Sequence, residues 1–180
     1  MASAPVQKSY LTAEEYLALE RQAETKSEYI DGEMVAMSGG TSDHSLITAN
    51  LMGELRQRLK QRSCRVYSGD LRVRILATGD YVYPDVTVVC GEPLFEDGHR
   101  DILLNPTLIV EVLSPSTELY DLGRKFDDYQ TLDSLKEYVL VSQDRPRVRH
   151  YLREDGHVWL YTDVSGIDSS VSFPSVECQV

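Results

Sequence analysis

A short apolar run that contains a single carboxylate constrains this chain more than any other feature. Residues 108–113 read Leu-Ile-Val-Glu-Val-Leu and are bounded by Pro106 and Pro115. A continuous apolar run of this length is typical of a strand that is covered on both faces. Glu111 in its middle is therefore expected to lose most of its water. An ionised carboxylate there needs a cation, a hydrogen-bond partner or a raised pKa.

The length and composition indicate one globular domain around this strand. The chain has 180 residues, of which 42% are hydrophobic, so we predict a single domain over residues 1–180 with a loose tail at residues 1–9. No stretch approaches the roughly 18 apolar residues of a membrane span, and residues 1–10 contain no long apolar run. We expect a soluble, unexported, cytoplasmic protein with no membrane partner.

The cysteines and the net charge narrow the classes of protein to which the chain can belong. Cys64, Cys90 and Cys178 are an odd number without C-x-x-C spacing, which predicts neither a disulfide framework nor a zinc knuckle and fits the cytoplasm. The net charge of -11 argues against a generic nucleic-acid coat protein, because such binding relies on many Lys and Arg contacts with phosphate. A nuclease stays open, since carboxylates that hold a metal make a site negative until the metal arrives.

Local patterns predict the order of helices and strands. Thr12 to Glu15 has the spacing of a capping box, which predicts a short helix to about residue 20. Asp31-Gly32 predicts a hairpin with a type I′ turn. Apolar residues at every fourth position from Ile47 to Leu59 predict a long helix over about 43–62.

The remaining segments complete an α+β pattern. We predict strands at about 65–67, 70–75, 83–90, 108–113 and 136–142, a hairpin joining 148–152 to 158–161, and a short strand near 171–173. Residues 91–104 are expected to form a surface loop, and a helix capped by Ser116 or Thr117 should run to about residue 132. The fold prediction is α+β, with a mixed central β-sheet flanked by helices.

Two carboxylates outline a metal site. Pro84-Asp85 opens one predicted strand and Glu111 lies inside the next. If these strands are neighbours, about 5 Å apart, both carboxylates can face one cation. Mg²⁺ takes few oxygen ligands from a protein and the rest from water and a substrate phosphate. The backbone carbonyl of Val112 is a further candidate ligand.

Lys125 is the candidate cation beside Glu111. It lies about 60° from Leu122 around the predicted helix, at the border of the face that packs on the sheet. There it would orient or help to deprotonate a water and stabilise charge on a phosphate. Two simpler interpretations stay open: a buried Glu111–Lys125 salt bridge that needs no metal, or an exposed ion pair of Lys125 with Asp121.

These motifs, in this order, resemble the restriction-endonuclease-like family known as Uma-two, a branch of the PD-(D/E)xK nuclease superfamily. The resemblance covers about residues 28–151. It rests on Pro84-Asp85, the run from Glu111 to Thr117, Asp121, Lys125 and Tyr129, with further matches at Glu28–Glu33, His44 and Ser68–Val73. It implies a restriction-endonuclease-like core and a Mg²⁺-dependent phosphodiesterase acting on DNA, in which Mn²⁺ can substitute. Glu28 and His44 then become additional candidate catalytic residues, Glu28 as a second metal ligand.

The sequence departs from the superfamily at one position. The superfamily motif has a lysine two residues after the acid, where this chain has Leu113. In the Uma-two branch that lysine has moved to the following helix, and Lys125 matches the new position.

Two functions of different class follow. The preferred prediction is a metal-dependent DNA endonuclease in which Asp85 and Glu111 hold Mg²⁺ and Lys125 activates water. The alternative is a non-catalytic module that keeps the nuclease fold to bind DNA or a protein partner, which the negative charge favours. We expect a homodimer by analogy, because cutting a duplex requires two strand scissions and the chain offers one site.

Overall fold

The computed structural model describes residues 10–115 and 117–180. The predicted tail at residues 1–9 and the predicted cap Ser116 lie outside the described residues. The helices are α1 (Ala13–Glu20), α2 (Ser42–Leu59), α3 (Glu118–Leu122) and α4 (Arg124–Tyr129). The strands are β1 (Ser27–Ile30), β2 (Glu33–Ala36), β3 (Cys64–Ser68), β4 (Arg72–Ile75), β5 (Asp80–Val82), β6 (Val86–Cys90), β7 (Ile102–Leu103), β8 (Leu108–Leu113), β9 (Glu137–Ser142), β10 (Arg147–Asp155), β11 (Val158–Ser165), β12 (Ser172–Phe173) and β13 (Cys178–Gln179).

The strands form two large sheets and one small one. A five-stranded sheet has the order β2-β1-β5-β4-β7, and a six-stranded sheet has the order β11-β10-β9-β8-β6-β3. The six-stranded sheet is mixed, because β8 runs parallel to β9 and antiparallel to β6. Strands β12 and β13 pair with each other near the C terminus. The predicted α+β class with a mixed sheet is confirmed, with the strands divided between two layers.

Strand β8 is the fully covered strand that its sequence predicts. All six of its residues are buried. Leu108 and Val110 pack in a cluster with Leu55 and Leu59 of α2. Ile109 and Leu113 alternate with them and pack in a second cluster that contains Tyr129 of α4. Glu111 belongs to this second set by alternation, so it faces α4.

Four local predictions are confirmed in detail. Thr12 caps α1 and forms a reciprocal capping box with Glu15. Asp31 and Gly32 have φ values of 51° and 83°, as the two central positions of a type I′ turn require. In α2 the predicted stripe ends on Leu55 and Leu59, which are buried. Strands β10 and β11 pair across the second predicted hairpin turn.

The strand predicted at residues 83–90 is wrong in its first half. Strand β5 ends at Val82 in the five-stranded sheet, and β6 begins at Val86 in the six-stranded sheet. Pro84 lies between them, and proline supplies no N–H for a sheet ladder. The chain therefore crosses from one sheet to the other at residues 83–85, and Asp85 stands at the crossing.

The predicted surface loop at residues 91–104 contains a buried strand. Ile102 and Leu103 are both 0% exposed and pair in parallel with Arg72 and Val73 of β4. A strand of two residues is too short to show an alternating pattern. The apolar pair nevertheless closes the edge of the five-stranded sheet.

The helix predicted to run to about residue 132 is divided. Gly123 has φ -110° and ψ -105° and separates α3 from α4. A Cβ at this position would lie 3.1 Å from the Leu119 carbonyl oxygen. Thr117 occupies the N-cap position of α3, but its side chain accepts no hydrogen bond from a backbone N–H of the helix, so its predicted capping role is not confirmed.

The expectation that the cysteines form no disulfide is wrong. Cys64 in β3 lies directly opposite Cys90 in β6, and the two are joined by a disulfide. Residues 26 positions apart in sequence meet here because the strands pair antiparallel, which residue spacing alone does not reveal. Cys178 is free and buried. Within the described ranges, no helix is long and apolar enough to cross a membrane.

Candidate active site

A cavity of about 570 Å³ gathers all six site residues that the sequence predicts. They come from both large sheets and from two helices. The six site residues in the lining of the cavity are Glu28, His44, Asp85, Glu111, Val112 and Lys125. The fold thus brings together residues that are spread over about a hundred positions of the chain.

Asp85 is held by groups from two neighbouring elements. Its Oδ2 accepts a hydrogen bond of 2.7 Å from the Val112 backbone N–H and lies 3.1 Å from Nε2 of His44. The pairing of Val86 with Val110 places Asp85 beside Glu111, as the neighbouring-strand prediction requires. The Asp85 side chain remains 22% exposed, so it faces the cavity.

Glu111 is buried and hydrogen-bonded at both oxygens. Its Oε1 accepts from Nζ of Lys125 at 2.8 Å and from the hydroxyl of Tyr129 at 3.0 Å. Its Oε2 accepts from the Asp85 backbone N–H at 3.2 Å. Burial, which Lys125 opposes and Asp85 reinforces, raises the pKa of Glu111 above its ordinary value. A cation bound at the cavity would favour the ionised form.

Lys125 lies among three carboxylates. Its Nζ is 2.8 Å from Glu111, 3.5 Å from Glu28 and 3.7 Å from Asp121. Burial lowers the pKa of this ammonium group, but the three carboxylates outweigh burial and hold its pKa well above the ordinary value. The open alternative of a Glu111–Lys125 salt bridge is thus present, and the contact with Asp121 is buried rather than exposed.

His44 is positioned by the start of α2. Thr41 caps this helix by accepting a hydrogen bond from the His44 backbone N–H at 3.1 Å. The imidazole packs against Gly40, where an added Cβ would lie 3.0 Å from Nδ1. The glycine before the helix therefore leaves room for the ring to turn toward Asp85.

Glu28 and Tyr129 contact the two central charged residues: Glu28 lies beside Lys125, and Tyr129 donates to Glu111. Glu28 in β1 accepts a hydrogen bond from the Tyr83 backbone N–H at 3.0 Å, which ties it to the crossing segment. Tyr129 is 0% exposed and donates to Glu111.

The sequence predicts the Lys125–Asp121 pair only as an exposed alternative, and it does not predict the contact of Tyr129 with Glu111, although a signal is present. Asp121 and Tyr129 each lie four positions from Lys125, a spacing that puts helical side chains on one face. Asp121 is buried, and burial raises its pKa. Because α3 ends before Gly123, the Asp121–Lys125 spacing crosses the break between the two helices, whereas Lys125 and Tyr129 both lie in α4. Asp70, by contrast, pairs with Lys26 away from the cavity.

The donor set fits Mg²⁺ bound largely by water and substrate. Across the described ranges, three or more His, Cys, Asp or Glu side chains do not cluster as a ready-made metal cage. Mg²⁺ does not need one, since one or two carboxylates with waters and phosphate oxygens suffice. Asp85 and Glu111 provide two carboxylates that line one cavity, and the Asp85 backbone N–H donates to Glu111. Because the N–H and C=O of a strand residue point to the same edge, the Val112 carbonyl is expected on the edge of β8 where its N–H donates to Asp85.

Comparison with known proteins identifies the family of the chain. The family model Uma2, described as "Putative restriction endonuclease", matches residues 13–179. The chain belongs to this family. The match spans α1 to β13 and so includes every element that contributes to the cavity.

Synechocystis sp. contains relatives of similar length. The uncharacterised protein sll1609 is 39% identical over 163 residues, covering 91% of this chain and 92% of the relative. The uncharacterised protein slr1290 is 38% identical over 166 residues, covering 92% of this chain and 85% of the relative.

A crystal structure shows the same architecture. A "putative nuclease belonging to DUF820" from Anabaena variabilis superposes with a TM-score of 0.75 at 22% identity, covering 93% of this chain and 91% of the other. At this identity the likeness concerns the fold. The restriction-endonuclease-like core expected from the sequence is therefore confirmed.

Proposed function

We propose that this Uma2 protein is a Mg²⁺-dependent endonuclease that hydrolyses phosphodiester bonds in DNA. The observation that carries the proposal is that Glu111 contacts both the Asp85 backbone N–H and Lys125 in one cavity. The family of the chain is described as "Putative restriction endonuclease". A scaffold has little reason to bury an acid such as Glu111, because burying a charge costs free energy.

The carboxylates of Asp85 and Glu111 and the carbonyl of Val112 would hold the ion. Mn²⁺ is expected to substitute, because it also accepts carboxylate, carbonyl and water oxygens. When bound, Mg²⁺ supplies Lewis-acid stabilisation of charge on the phosphate. His44 would fix the orientation of the Asp85 carboxylate through its contact at 3.1 Å.

Lys125 activates the attacking water by position and charge. It is protonated at neutral pH, so its Nζ can donate to the water or to a phosphate oxygen and offset negative charge that develops there. In the reaction a water oxygen forms a bond to phosphorus and gives up one proton to solvent, while the bond from phosphorus to one ester oxygen breaks and that oxygen takes up a proton from solvent. Glu28 and Asp121 would keep Lys125 charged and oriented.

The alternative is a non-catalytic module, and the charge distribution favours it. Most described Lys and Arg side chains are already paired with a carboxylate and offer little free positive surface to DNA. Such pairs involve Arg21, Lys26, Arg58, Arg62, Arg65, Arg72, Arg74, Arg124, Arg145, Arg147 and Arg149. A homodimer remains an expectation from the need to cut two strands.

Cleavage of circular DNA tests the proposal. Supercoiled plasmid and circular single-stranded DNA are incubated with the wild type, Asp85→Ala or Asp70→Ala, with Mg²⁺, with Mn²⁺ or with EDTA. We expect metal-dependent cleavage by the wild type and by Asp70→Ala, and a loss of at least about a hundredfold in Asp85→Ala. Equal activity in Asp85→Ala, or no cleavage of either DNA form, would contradict the proposal.

Calorimetric titration with Mn²⁺ separates the two functions without any turnover. The endonuclease is expected to bind Mn²⁺ with an enthalpy signal that is lost in both Asp85→Ala and Glu111→Gln. Binding that is unchanged in these variants, or absent from the wild type, would support the non-catalytic module.

A further inference from the structure

The cavity continues beyond the carboxylates onto an apolar surface that the proposed chemistry does not use. The β1–β2 hairpin and the residue after it contribute Ile30, Val35, Ala36 and Met37 to the lining, here called the hairpin wall. Val35 is 47% exposed and Met37 is 36% exposed. Apolar side chains that are exposed to solvent beside a reactive site often mark a surface that a bound ligand covers.

The cavity has very little positive charge for a nucleic-acid site. Lys125 is the one Lys or Arg in its lining among the described residues, and it already contacts Glu111, Glu28 and Asp121. A protein that binds duplex DNA neutralises many backbone phosphates with Lys and Arg. Binding free energy at this site must therefore come from another source, and the apolar wall is available.

A polar group without a partner lies in the same lining. The Tyr120 hydroxyl is buried and has no hydrogen-bond partner among the described residues, although its residue lines the cavity. A buried hydroxyl that stays unpaired costs free energy, so a ligand that supplies a hydrogen bond there would be favoured. The edge of a nucleobase carries such donors and acceptors.

From these features we infer that the substrate is single-stranded DNA, and that one unpaired base enters the cavity against the hairpin wall while the adjacent phosphate lies at Asp85 and Glu111. This inference rests on the proposed function and specifies its substrate. A volume of about 570 Å³ falls within the range of pockets that enclose small ligands and is far too small for a double helix. In a duplex the bases are paired and stacked, so none could reach the wall without being extruded.

Base burial explains how an acidic protein can retain a polyanion. Contact of one base with aromatic and apolar side chains is tolerant of sequence and does not require positive charge. The hairpin wall and Tyr120 flank the cavity around the carboxylates, so a bound base would fix the register of the strand. The phosphate next to that base would then be the one that is hydrolysed.

Paired substrates of the same sequence test the inference. A 5′-labelled oligonucleotide is cleaved with Mn²⁺ as a single strand and as a blunt duplex, at equal salt. We expect the single strand to be cleaved at least about fivefold faster, the smallest effect that one buried base should give. A duplex that is cleaved as fast as the single strand, by an enzyme that Asp85→Ala inactivates, would overturn the inference and leave the endonuclease intact.

Variants of the wall identify the surface that is used. Met37→Ala and Val35→Ala are expected to raise KM for the single strand about threefold or more with little change in kcat, because they remove binding that is equal in ground and transition states. Tyr120→Phe should raise KM as well, since the ligand loses a hydrogen bond. Leu19→Ala, an exposed apolar residue of α1, is the matched control and should change neither constant. Wall variants that behave like Leu19→Ala would overturn the inference.

A binding measurement keeps the inference testable if no DNA is cleaved. Fluorescence anisotropy of the two labelled oligonucleotides is then recorded with Ca²⁺ in place of Mn²⁺. Tighter binding of the single strand that Met37→Ala weakens and Leu19→Ala does not would uphold the binding site while the endonuclease proposal fails. Equal binding of both forms, or no binding of either, would overturn it.

Discussion

At the scale of single residues, the site is a balance of buried charges. Lys125 compensates Glu111, Glu28 and Asp121 at once, and burial raises the pKa of Glu111 and Asp121 because these compensations are incomplete. The sequence was sufficient to predict the central contact, since an acid inside an apolar strand requires a partner. It was insufficient for Tyr129, whose ring packs in the core while its hydroxyl reaches Glu111.

Removing the central cation should be costly. We expect Lys125→Met to lower the free energy of unfolding by about 3 kcal/mol, because it leaves buried carboxylates without their counter-charge. Urea denaturation measures this change. The double variant Lys125→Met/Glu111→Gln should recover part of the loss, since one of the uncompensated charges is gone. Lys60→Met, on an exposed position of the same protein, should change stability little, and an equal loss in both variants would contradict the expectation.

At the scale of elements, the break between α3 and α4 places Lys125 in the cavity. Gly123 adopts a backbone conformation away from both helix and strand, and a Cβ there would make a tight contact of 3.1 Å with the Leu119 carbonyl oxygen. Position 123 lies two residues before Lys125, so the break sets the direction in which α4 leaves the sheet. Any residue other than glycine there would disturb the helix that carries the lysine.

Two glycine substitutions separate this constraint from general helix propensity. Gly123→Ala should destabilise the protein by about 1 kcal/mol or more and reduce nuclease activity, because its Cβ meets the Leu119 carbonyl at 3.1 Å. Gly53→Ala lies in the interior of α2 with no atom within 4 Å of the added Cβ, and it should stabilise by about 0.5–1 kcal/mol. Urea denaturation compares both variants. Equal effects of the two substitutions would show that the break at Gly123 is not constrained.

Elements with strong local signals were predictable, and those decided by tertiary contacts were not. The capping box at Thr12 and the Asp31-Gly32 turn act within a few residues, so their patterns suffice. Strand β7 is buried only because β4 lies beside it, and the Cys64–Cys90 bond exists only because β3 pairs with β6. Neither partner can be read from the residues themselves.

At the scale of the whole molecule, ion pairs connect helix α1 to the five-stranded sheet. Asp101, just before β7, accepts two hydrogen bonds from Arg21 at the end of α1, at 2.9 and 3.0 Å, and also pairs with Arg72 of β4. Hydrogen bonds from the Arg21 guanidinium are the main cause that lowers the pKa of Asp101 below its ordinary value, and the charge of Arg72 contributes. Burial opposes this shift but is outweighed. The helix and the sheet edge are thus joined by a charge network.

This network should make stability depend on pH in the acid range. Because the Asp101 pKa is lower in the folded chain than in the unfolded one, its contribution is present above the unfolded value of about 4 and is lost as pH falls through the folded value. Asp101→Asn should therefore cost up to about 1 kcal/mol at pH 7, and the difference from wild type should shrink below about pH 4. Urea denaturation at several pH values measures it, and Arg21→Gln should behave alike. A difference that stays constant with pH would contradict the expectation.

The crossing of the chain at residues 83–85 makes the site depend on the packing of both large sheets. Glu28 belongs to one large sheet and Glu111 to the other, and the crossing segment touches both through the backbone N–H groups of Tyr83 and Asp85. Neither sheet holds a complete set of site residues. The site is therefore complete only while the two sheets are packed against each other. Any partial unfolding that separates the sheets would abolish activity before secondary structure is lost.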